Sequence, residues 1–309
     1  MISKSDRIFL AGHKGMVGSA ILKVLKKKNY KDIITVDKKK LDLTSFKKVK
    51  MFIKKKKPKL IIIAAAKVGG IKINSERPGE FLYENMSIQN NLIHGAFLNN
   101  VKKIIFLGSS CIYPKNSKQP IIEEYLLTGK LEQTNEAYAI AKIVGVKLCE
   151  FYNKQYDKTH KLDYRSLMPT NLFGYNDNYD LNNSHVVPAL IRKIHEAKIS
   201  KKKIEIWGTG KAKRDFLFVD DLAQVIEKIM RVSKNKYFKN NYQNNHLNVG
   251  SDKEISIKQL VKIISRIIGY NGEIYFNTKM PDGTLKKLLN VNKLKKIIKF
   301  KKTELKTAI

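Results

Sequence analysis

The sequence predicts an α/β protein, a doubly wound parallel sheet followed by a smaller C-terminal α/β domain. Three observations carry that prediction. Stretches at residues 7–11, 33–36, 60–66, 104–107 and 164–168 read as strands, and the short unbroken apolar run at 104–107 is of the kind expected when helices cover both faces of a parallel sheet. Helix-forming stretches alternate with them, which predicts parallel pairing through right-handed crossovers. Between the first strand and the first helix lies a loop with glycines at 12, 15 and 18.

That loop, Gly12-His13-Lys14-Gly15-Met16-Val17-Gly18, has the spacing of a dinucleotide fingerprint. The glycines permit a tight turn, close backbone approach and close helix packing, and the N-terminus of the helix expected from about Ser19 to Lys28 offers N–H groups to a pyrophosphate. This makes the sheet Rossmann-type. The second strand ends at Asp37, where an acid accepts from a ribose 2′-hydroxyl; Lys38, Lys39 and Lys40 follow and could instead hold a 2′-phosphate. Both choices stay open. Asp42 either contacts the adenine side or caps the helix expected from Ser45. The third strand runs into Lys67-Val68-Gly69-Gly70, small residues that let ligands lie close to the backbone, and a long helix with Asn85, Asn90 and Asn91 precedes the fourth.

The fourth strand delivers Leu107-Gly108-Ser109-Ser110-Cys111 to the crevice where open α/β sheets bind ligands. Further on, Tyr138 and Lys142 stand four apart, hence on one face of the next helix. An ammonium beside a phenol favours the phenolate, so Lys142 is expected to lower the tyrosine pKa and make an acid/base device. Beyond about residue 165 the simple alternation ends. Residues 1–165 are expected to form the dinucleotide-binding domain and residues 166–309 mainly the substrate domain, with some segments crossing back.

Composition narrows the function class. A chain of 309 residues with 43% hydrophobic content can bury a substantial core. No run of about 18 apolar residues occurs and the start leads straight into a strand, so neither a membrane span nor a signal peptide is expected, and the protein is expected in the cytoplasm. Cys111 and Cys149 are the only cysteines, without metal-type spacing or a disulfide framework, and no metal site is expected. The net charge of +34 comes from scattered lysines without clustered arginine or aromatic stacking motifs. Specific nucleic-acid binding is not expected, although salt-sensitive adhesion to polyanions is, and the same field favours an anionic substrate. A polyanion-binding protein on a dinucleotide fold is the non-enzymatic alternative.

The strand, the Ser109-Ser110 pair and Tyr-x-x-x-Lys together resemble the extended short-chain dehydrogenase/reductases. The resemblance narrows to the GDP-L-fucose synthase family over nearly the whole chain. Residues 11–18, 64–71, 108–115 and 135–143 carry it, with Met168-Pro169-Thr170-Asn171-Leu172, Asn183-Ser184-His185-Val186-Val187-Pro188, Trp207-Gly208-Thr209-Gly210 and Pro281-Asp282-Gly283-Thr284. It implies NADPH-dependent 3,5-epimerisation and 4-reduction of GDP-4-keto-6-deoxy-D-mannose. Ser109 and Tyr138 would hold the C4 oxygen, Lys142 would assist Tyr138 and bind the nicotinamide ribose, and Cys111 and His185 would serve as base and acid. The cofactor, NADP(H), would lie along residues Gly12 to Gly18, Lys38, Asp42, Leu107, Gly108, Ser109, Ser110, Lys142, Pro169, Thr170, Asn171, Leu172 and His185. The GDP-sugar would meet Lys193, Trp207, Arg214 and Asp282. A homodimer through a helical interface is also implied. Nucleotide-sugar 4,6-dehydratases carry an Asp-Glu pair after the strand, which is missing here; another nucleotide-sugar 4-epimerase or reductase is the runner-up. The chain departs from the family where Lys193 replaces an arginine, where Ala137, Tyr175 and Leu285 replace prolines, and in stopping at Ile309 before an expected last helix.

Overall fold

The computed structural model describes all residues except 182, 183, 240, 245, 281 and 283, and the side chains of residues 71 and 72. Asn183, Pro281 and Gly283, which carry parts of two motifs, therefore lie outside the described residues. The first layer contains β1 (Ile8–Ala11), α1 (Met16–Lys27), β2 (Ile33–Ile34), α2 (Phe46–Lys56), β3 (Leu60–Ile63), α3 (Ile71–Glu76), α4 (Pro78–Leu98), β4 (Lys103–Leu107), α5 (Glu136–His160) and β5 (Asp163–Pro169). There follow β6 (Asn171–Phe173), α6 (Val186–Ser200), β7 (Ile204–Trp207), β8 (Lys213–Phe218), α7 (Val219–Arg231), α8 (Lys234–Phe238) and β9 (Leu247–Val249). The chain ends with β10 (Glu254–Ser256), α9 (Ile257–Ile268), β11 (Ile274–Asn277), β12 (Lys286–Lys287), α10 (Asn292–Ile297) and α11 (Leu305–Ala308).

The main sheet is parallel throughout and runs β2-β1-β3-β4-β5-β9. Its strands are apolar on both faces because each face is covered. Ile8, Leu10, Leu60, Ile62, Ile105 and Leu167 pack with Ile21 and Leu25 of α1 and Leu222, Ile226 and Ile229 of α7. The alternate residues Phe9, Ile61, Ile63, Ile104, Phe106 and Tyr164 pack with Ile53 of α2, Leu92 and Ala96 of α4 and Val146 of α5. The period-two alternation thus feeds two cores from one set of strands.

The chain order reverses between β1 and β3, so the ligand crevice of such a sheet opens at their C-terminal ends. β5 runs past the expected boundary at residue 165 to Pro169, and β9 returns late in the sequence to pair Leu247 with Leu167 and Val249 with Pro169. The second layer sets β10-β8-β12 with β6 on β8, and β11 on β7, over a separate core that includes Leu190, Ile194, Ile206, Phe216, Leu260 and Ile264. Several expected strands are shorter than the apolar runs. The second stops at Ile34 rather than Val36 and the third at Ile63 rather than Ala66, where the chain leaves the sheet for the crevice. The first helix begins at Met16, three residues before the expected Ser19, because Gly15 itself takes the extended cap position.

Candidate active site

The glycine loop shows why those residues stand there. Gly12 has φ of +90°, and a Cβ on it would lie 2.5 Å from the Ala65 nitrogen. A Cβ on Gly18 would lie 2.0 Å from the Gly12 carbonyl oxygen, so α1 can approach the turn only without one. Gly15 differs: the nearest neighbour of its Cβ position is 3.7 Å away, which leaves room for a ligand against the backbone. Gly15 caps α1 without a side-chain hydrogen bond, so the first-turn N–H groups around Met16 and Val17 remain for an anion. This cradle fits a dinucleotide pyrophosphate.

Around it, Lys14 Nζ lies 2.8 Å and His13 Nε2 3.4 Å from Asp37 Oδ1. Asp42 does not cap α2. Its Oδ1 accepts from the Thr44 amide at 2.9 Å and the Thr44 hydroxyl at 2.7 Å, a local turn that competes with a cap, while Ser45 occupies the cap position. Lys38 is exposed and acts electrostatically on Asp42.

At the end of β4, Gly108 donates to the Leu167 carbonyl at 2.9 Å, and Ser109 starts a short 3-10 turn over Ser110–Ile112. The Ser109 Oγ accepts from the Cys111 amide at 3.3 Å, and its hydroxyl also bonds the Cys111 thiol. α5 crosses β4 closely at Gly145, where a Cβ would meet Phe106 at 2.4 Å. That crossing buries Lys142, whose Nζ donates to the Leu107 carbonyl at 2.9 Å and lies 5.0 Å from the Phe106 ring centre and 5.7 Å from that of Tyr138.

The expectation that Lys142 lowers the tyrosine pKa is overturned. Burial holds the Tyr138 hydroxyl well above its ordinary range, and nearby Cys111 adds to the shift. The lysine yields instead: burial pushes Lys142 down to about 8, against the pull of Cys111. Desolvation of charge outweighs the attraction the helical spacing brings. Cys111 behaves likewise. Burial pushes its thiol up, opposed first by Lys287, then by the Ser109 hydrogen bond, then by Lys142, so the cations do not by themselves populate the thiolate.

Ser109, Cys111, Tyr138 and Lys142 therefore form one cluster, with Cys111 and Lys142 buried and Ser109 and Tyr138 half-buried. His185 is exposed at the N-cap of α6, with Asp177 as its charged neighbour. Pro169 ends β5; Thr170 donates its amide to Val249 at 2.9 Å, and Thr170 and Asn171 side chains both donate to the Asp215 carbonyl, while Leu172 pairs with Leu217 on β8. These residues join the two layers beside the crevice.

In the second layer, Lys193 Nζ lies 5.6 Å from the centre of the exposed Trp207 ring. Both Asp282 oxygens accept from Thr209, each at 2.7 Å, fastening the turn after β7. Arg214, half-buried, feels Asp282 as its favourable partner. The residue that sequence reasoning missed is Lys287. β12 places it in register with Arg214 on parallel β8, and its charge acts on Cys111. Its position just after the Asp282 motif, in a Lys-Lys pair before an apolar run, is the only signal the sequence offers among so many lysines.

The sequence profile of the NAD dependent epimerase/dehydratase family matches residues 8–250. A GDP-L-fucose synthase of Sinorhizobium fredii is 50% identical over 93% of this chain and 88% of its own length. The GDP-L-fucose synthase of Escherichia coli is 45% identical over 94% and 89%. Among solved structures, a GDP-mannoheptose C4 reductase from Campylobacter jejuni with NADP bound superposes with a TM-score of 0.91 at 36% identity, covering 100% of this chain and 97% of that one. The six-stranded parallel sheet, the glycine cradle and the serine, tyrosine and lysine cluster agree with these likenesses, and the chain belongs to the NAD dependent epimerase/dehydratase family, among the relatives of the GDP-L-fucose synthases that its motifs resemble.

Proposed function

We propose that this protein is an NADPH-dependent GDP-sugar epimerase/reductase that turns GDP-4-keto-6-deoxy-D-mannose into GDP-L-fucose. The observation that carries the reading is the convergence of Ser109, Cys111, Tyr138 and Lys142 at the C-terminal end of β4, in a chain half identical to a GDP-L-fucose synthase. The main sheet holds the dinucleotide, and the second layer holds the GDP-sugar. NADPH, when bound, supplies the hydride for C4.

The Ser109 hydroxyl, which shares its hydrogen with the Cys111 thiol in the absence of substrate, would turn to donate to the C4 oxygen. Burial alone makes Tyr138 a reluctant acid, so the neighbouring Lys142 cation must favour the phenolate as the phenol gives its proton to the same oxygen. Lys142, whose ammonium is held by the Leu107 carbonyl, would favour charge on Tyr138 and would bind the nicotinamide ribose. Cys111 takes the proton from the carbon beside the carbonyl. A thiol whose pKa is raised makes a strong base once ionised, and Lys287 is the cation that favours that ionisation. His185 returns a proton from the α6 side. Arg214 and Lys287 face a diphosphate as paired cations, Lys193 and Trp207 the nucleoside, and Asp282 holds their turn.

A plain GDP-sugar C4 reductase is the second reading, favoured by the exposure of His185. Incubation with the keto sugar in deuterium oxide separates the two. Deuterium entering C3 and C5 without NADPH, followed by reduction once NADPH is added, is the expected result; NADPH oxidation without exchange would favour the plain reductase, and neither would sink both. Cys111→Ser should slow the exchange about 100-fold with NADPH affinity unchanged. Unchanged exchange would return Cys111 to a packing role.

The homodimer also belongs to this proposal. Tyr83 and Leu98 on α4, about four turns apart, and Ile140 and Phe151 on α5, about three turns apart, expose apolar side chains along adjoining helices. Light scattering should give twice the 35.5 kDa chain mass, and Phe151→Glu should shift it to the monomer. A wild-type monomer at micromolar concentration would refute the interface. The buried free thiols of Cys111 and Cys149 fit a cytoplasmic setting.

A further inference from the structure

The turn that carries Ser109 and Cys111 leads straight into a buried polar network. We infer that Tyr113 and Asn248 are positioning residues for the proton abstraction: their hydrogen bond keeps the Cys111 turn and the Lys287 strand in one register, an assignment that rests on the epimerase reading above.

Tyr113 caps the 3-10 turn two residues after Cys111, in extended backbone with φ of −84° and ψ of 149°. Its side chain is 3% exposed, and its hydroxyl donates to Asn248 Oδ1 at 2.5 Å. The amide fixes the direction of that bond. Asn248 Nδ2 donates to the Ile121 carbonyl at 3.0 Å and the Asn290 carbonyl at 3.2 Å, so the amide oxygen is the atom that faces the tyrosine. His246 Nε2 lies 3.1 Å from the same hydroxyl oxygen. Tyr113 has given its one hydrogen to Asn248, so Nε2–H is the donor there; burial, aided by Lys293 and Lys147, pushes the imidazole down to about 3 and keeps it neutral.

The network reaches both partners of the proton abstraction. One end is Tyr113, on the turn with Cys111. The other is the segment after β12, where Ile121 donates its amide to the Leu288 carbonyl at 2.8 Å and its carbonyl accepts from the Asn290 amide at 2.8 Å. Lys287 immediately precedes that segment and is the cation that most favours the Cys111 thiolate. Asn248 is itself anchored, fully buried in β9, with its backbone amide donating to Glu123 Oε1 at 3.0 Å. Removing the Tyr113 oxygen would leave the Asn248 oxygen and the His246 Nε2–H unpaired where water cannot reach them. The amide would then relax only by turning away from Ile121 and Asn290, freeing the turn and the strand end to shift apart. Lys142 is held separately by the Leu107 carbonyl, so the loss falls on the thiol rather than on the cofactor side.

Deuterium exchange into C3 and C5 of the keto sugar without NADPH tests this on the full chain. Tyr113→Phe should slow that exchange about 30-fold, while the NADPH dissociation constant stays within about twofold. The pH profile should move as well. Cys111 is faced by the cations Lys287 and Lys142 and by the Ser109 and Tyr138 hydroxyls, and a loosened Lys287 favours its thiolate less. The alkaline midpoint of the exchange should therefore rise by about one pH unit. Tyr164→Phe is the control for stability alone, because that buried hydroxyl donates to the Val101 carbonyl at 2.9 Å near the start of β5, far along the sheet from Cys111. It should lower the melting temperature comparably and leave rate and midpoint unchanged. In a Lys287→Met background, Tyr113→Phe should slow exchange by no more than about a further twofold. Wild-type exchange in Tyr113→Phe, an unmoved midpoint, or equal slowing with and without Lys287 would overturn the positioning role and return Tyr113 to packing. Absence of exchange in the wild-type protein would instead remove the epimerase reading beneath it.

Discussion

Tyr138→Phe should lower kcat for C4 reduction by about 1,000-fold and leave the dissociation constant for NADPH within about twofold. The phenol is kept protonated at neutral pH and is the hydroxyl that the Lys142 cation accompanies, so it is the group proposed to give its proton to the C4 oxygen. Phenylalanine preserves the packing against Lys142 and removes only that proton and its hydrogen bond. Ser109 would remain as a donor to the same oxygen, which is why some activity should survive. Single-turnover measurement of nicotinamide oxidation with the keto sugar reads the effect. A loss of less than about tenfold would show that the proton comes from elsewhere.

The pH profile should carry a second mark of the same cluster. Lys142 titrates at about 8 in the folded chain, against 10.5 ordinarily. Its charge is therefore present below about 8 and lost as pH rises through that value, so kcat/KM should fall on the alkaline side with a midpoint there, because this profile reports the free enzyme. Stability moves the opposite way. Between about 8 and 10.5 the unfolded chain holds more protons at this lysine than the folded one, so its contribution rises with pH across that window.

The contrast between what spacing predicts and what burial decides runs through the molecule. Gly12, Gly15 and Gly18 were legible because their demands are local: a turn, an approach and a helix contact, all set within one loop. The strands were legible as apolar runs, and the four-residue step placed Tyr138 and Lys142 together. The direction of their pKa shifts was not legible, because it depends on how closely α5 lies against β4, and Gly145 and Phe106 set that distance from far apart in sequence. Lys287 was hidden for a related reason. Its proximity to Cys111 arises from the register of β12 on β8, which no local pattern encodes, and its chemistry was masked by a background of exposed lysines. Asp42 failed in a third way: Thr44, two residues on, captured the side chain before the helix could.

Arg165→Leu should cost the fold about 3–5 kcal/mol, the largest stability effect expected of any single change here. In sequence Asp163-Tyr164-Arg165 looks like the polar start of a strand, yet Arg165 is fully buried within β5. Its guanidinium grips both oxygens of Asp163, donates to the Ile229 carbonyl at 2.6 Å and to the Val232 carbonyl at 2.8 Å, and lies 4.6 Å from the Tyr237 ring centre. Asp163 in turn pairs with Lys103 of β4 at 2.9 Å. One cation thus fastens the sheet to the C-terminal end of α7 and neutralises a buried acid. Leucine would leave Asp163 with a single partner and strand two carbonyls at a helix end, and each such loss is expensive where water cannot compensate. The melting temperature should fall by roughly 10 °C. Arg165 lies toward the start of its strand, in register with Ile105 rather than with the end that carries Ser109, so the surviving folded enzyme should keep near-normal kcat at low temperature. A shift of only one or two degrees would mean that the buried charges merely balance their own desolvation, and that the grip on α7 comes from apolar contacts alone.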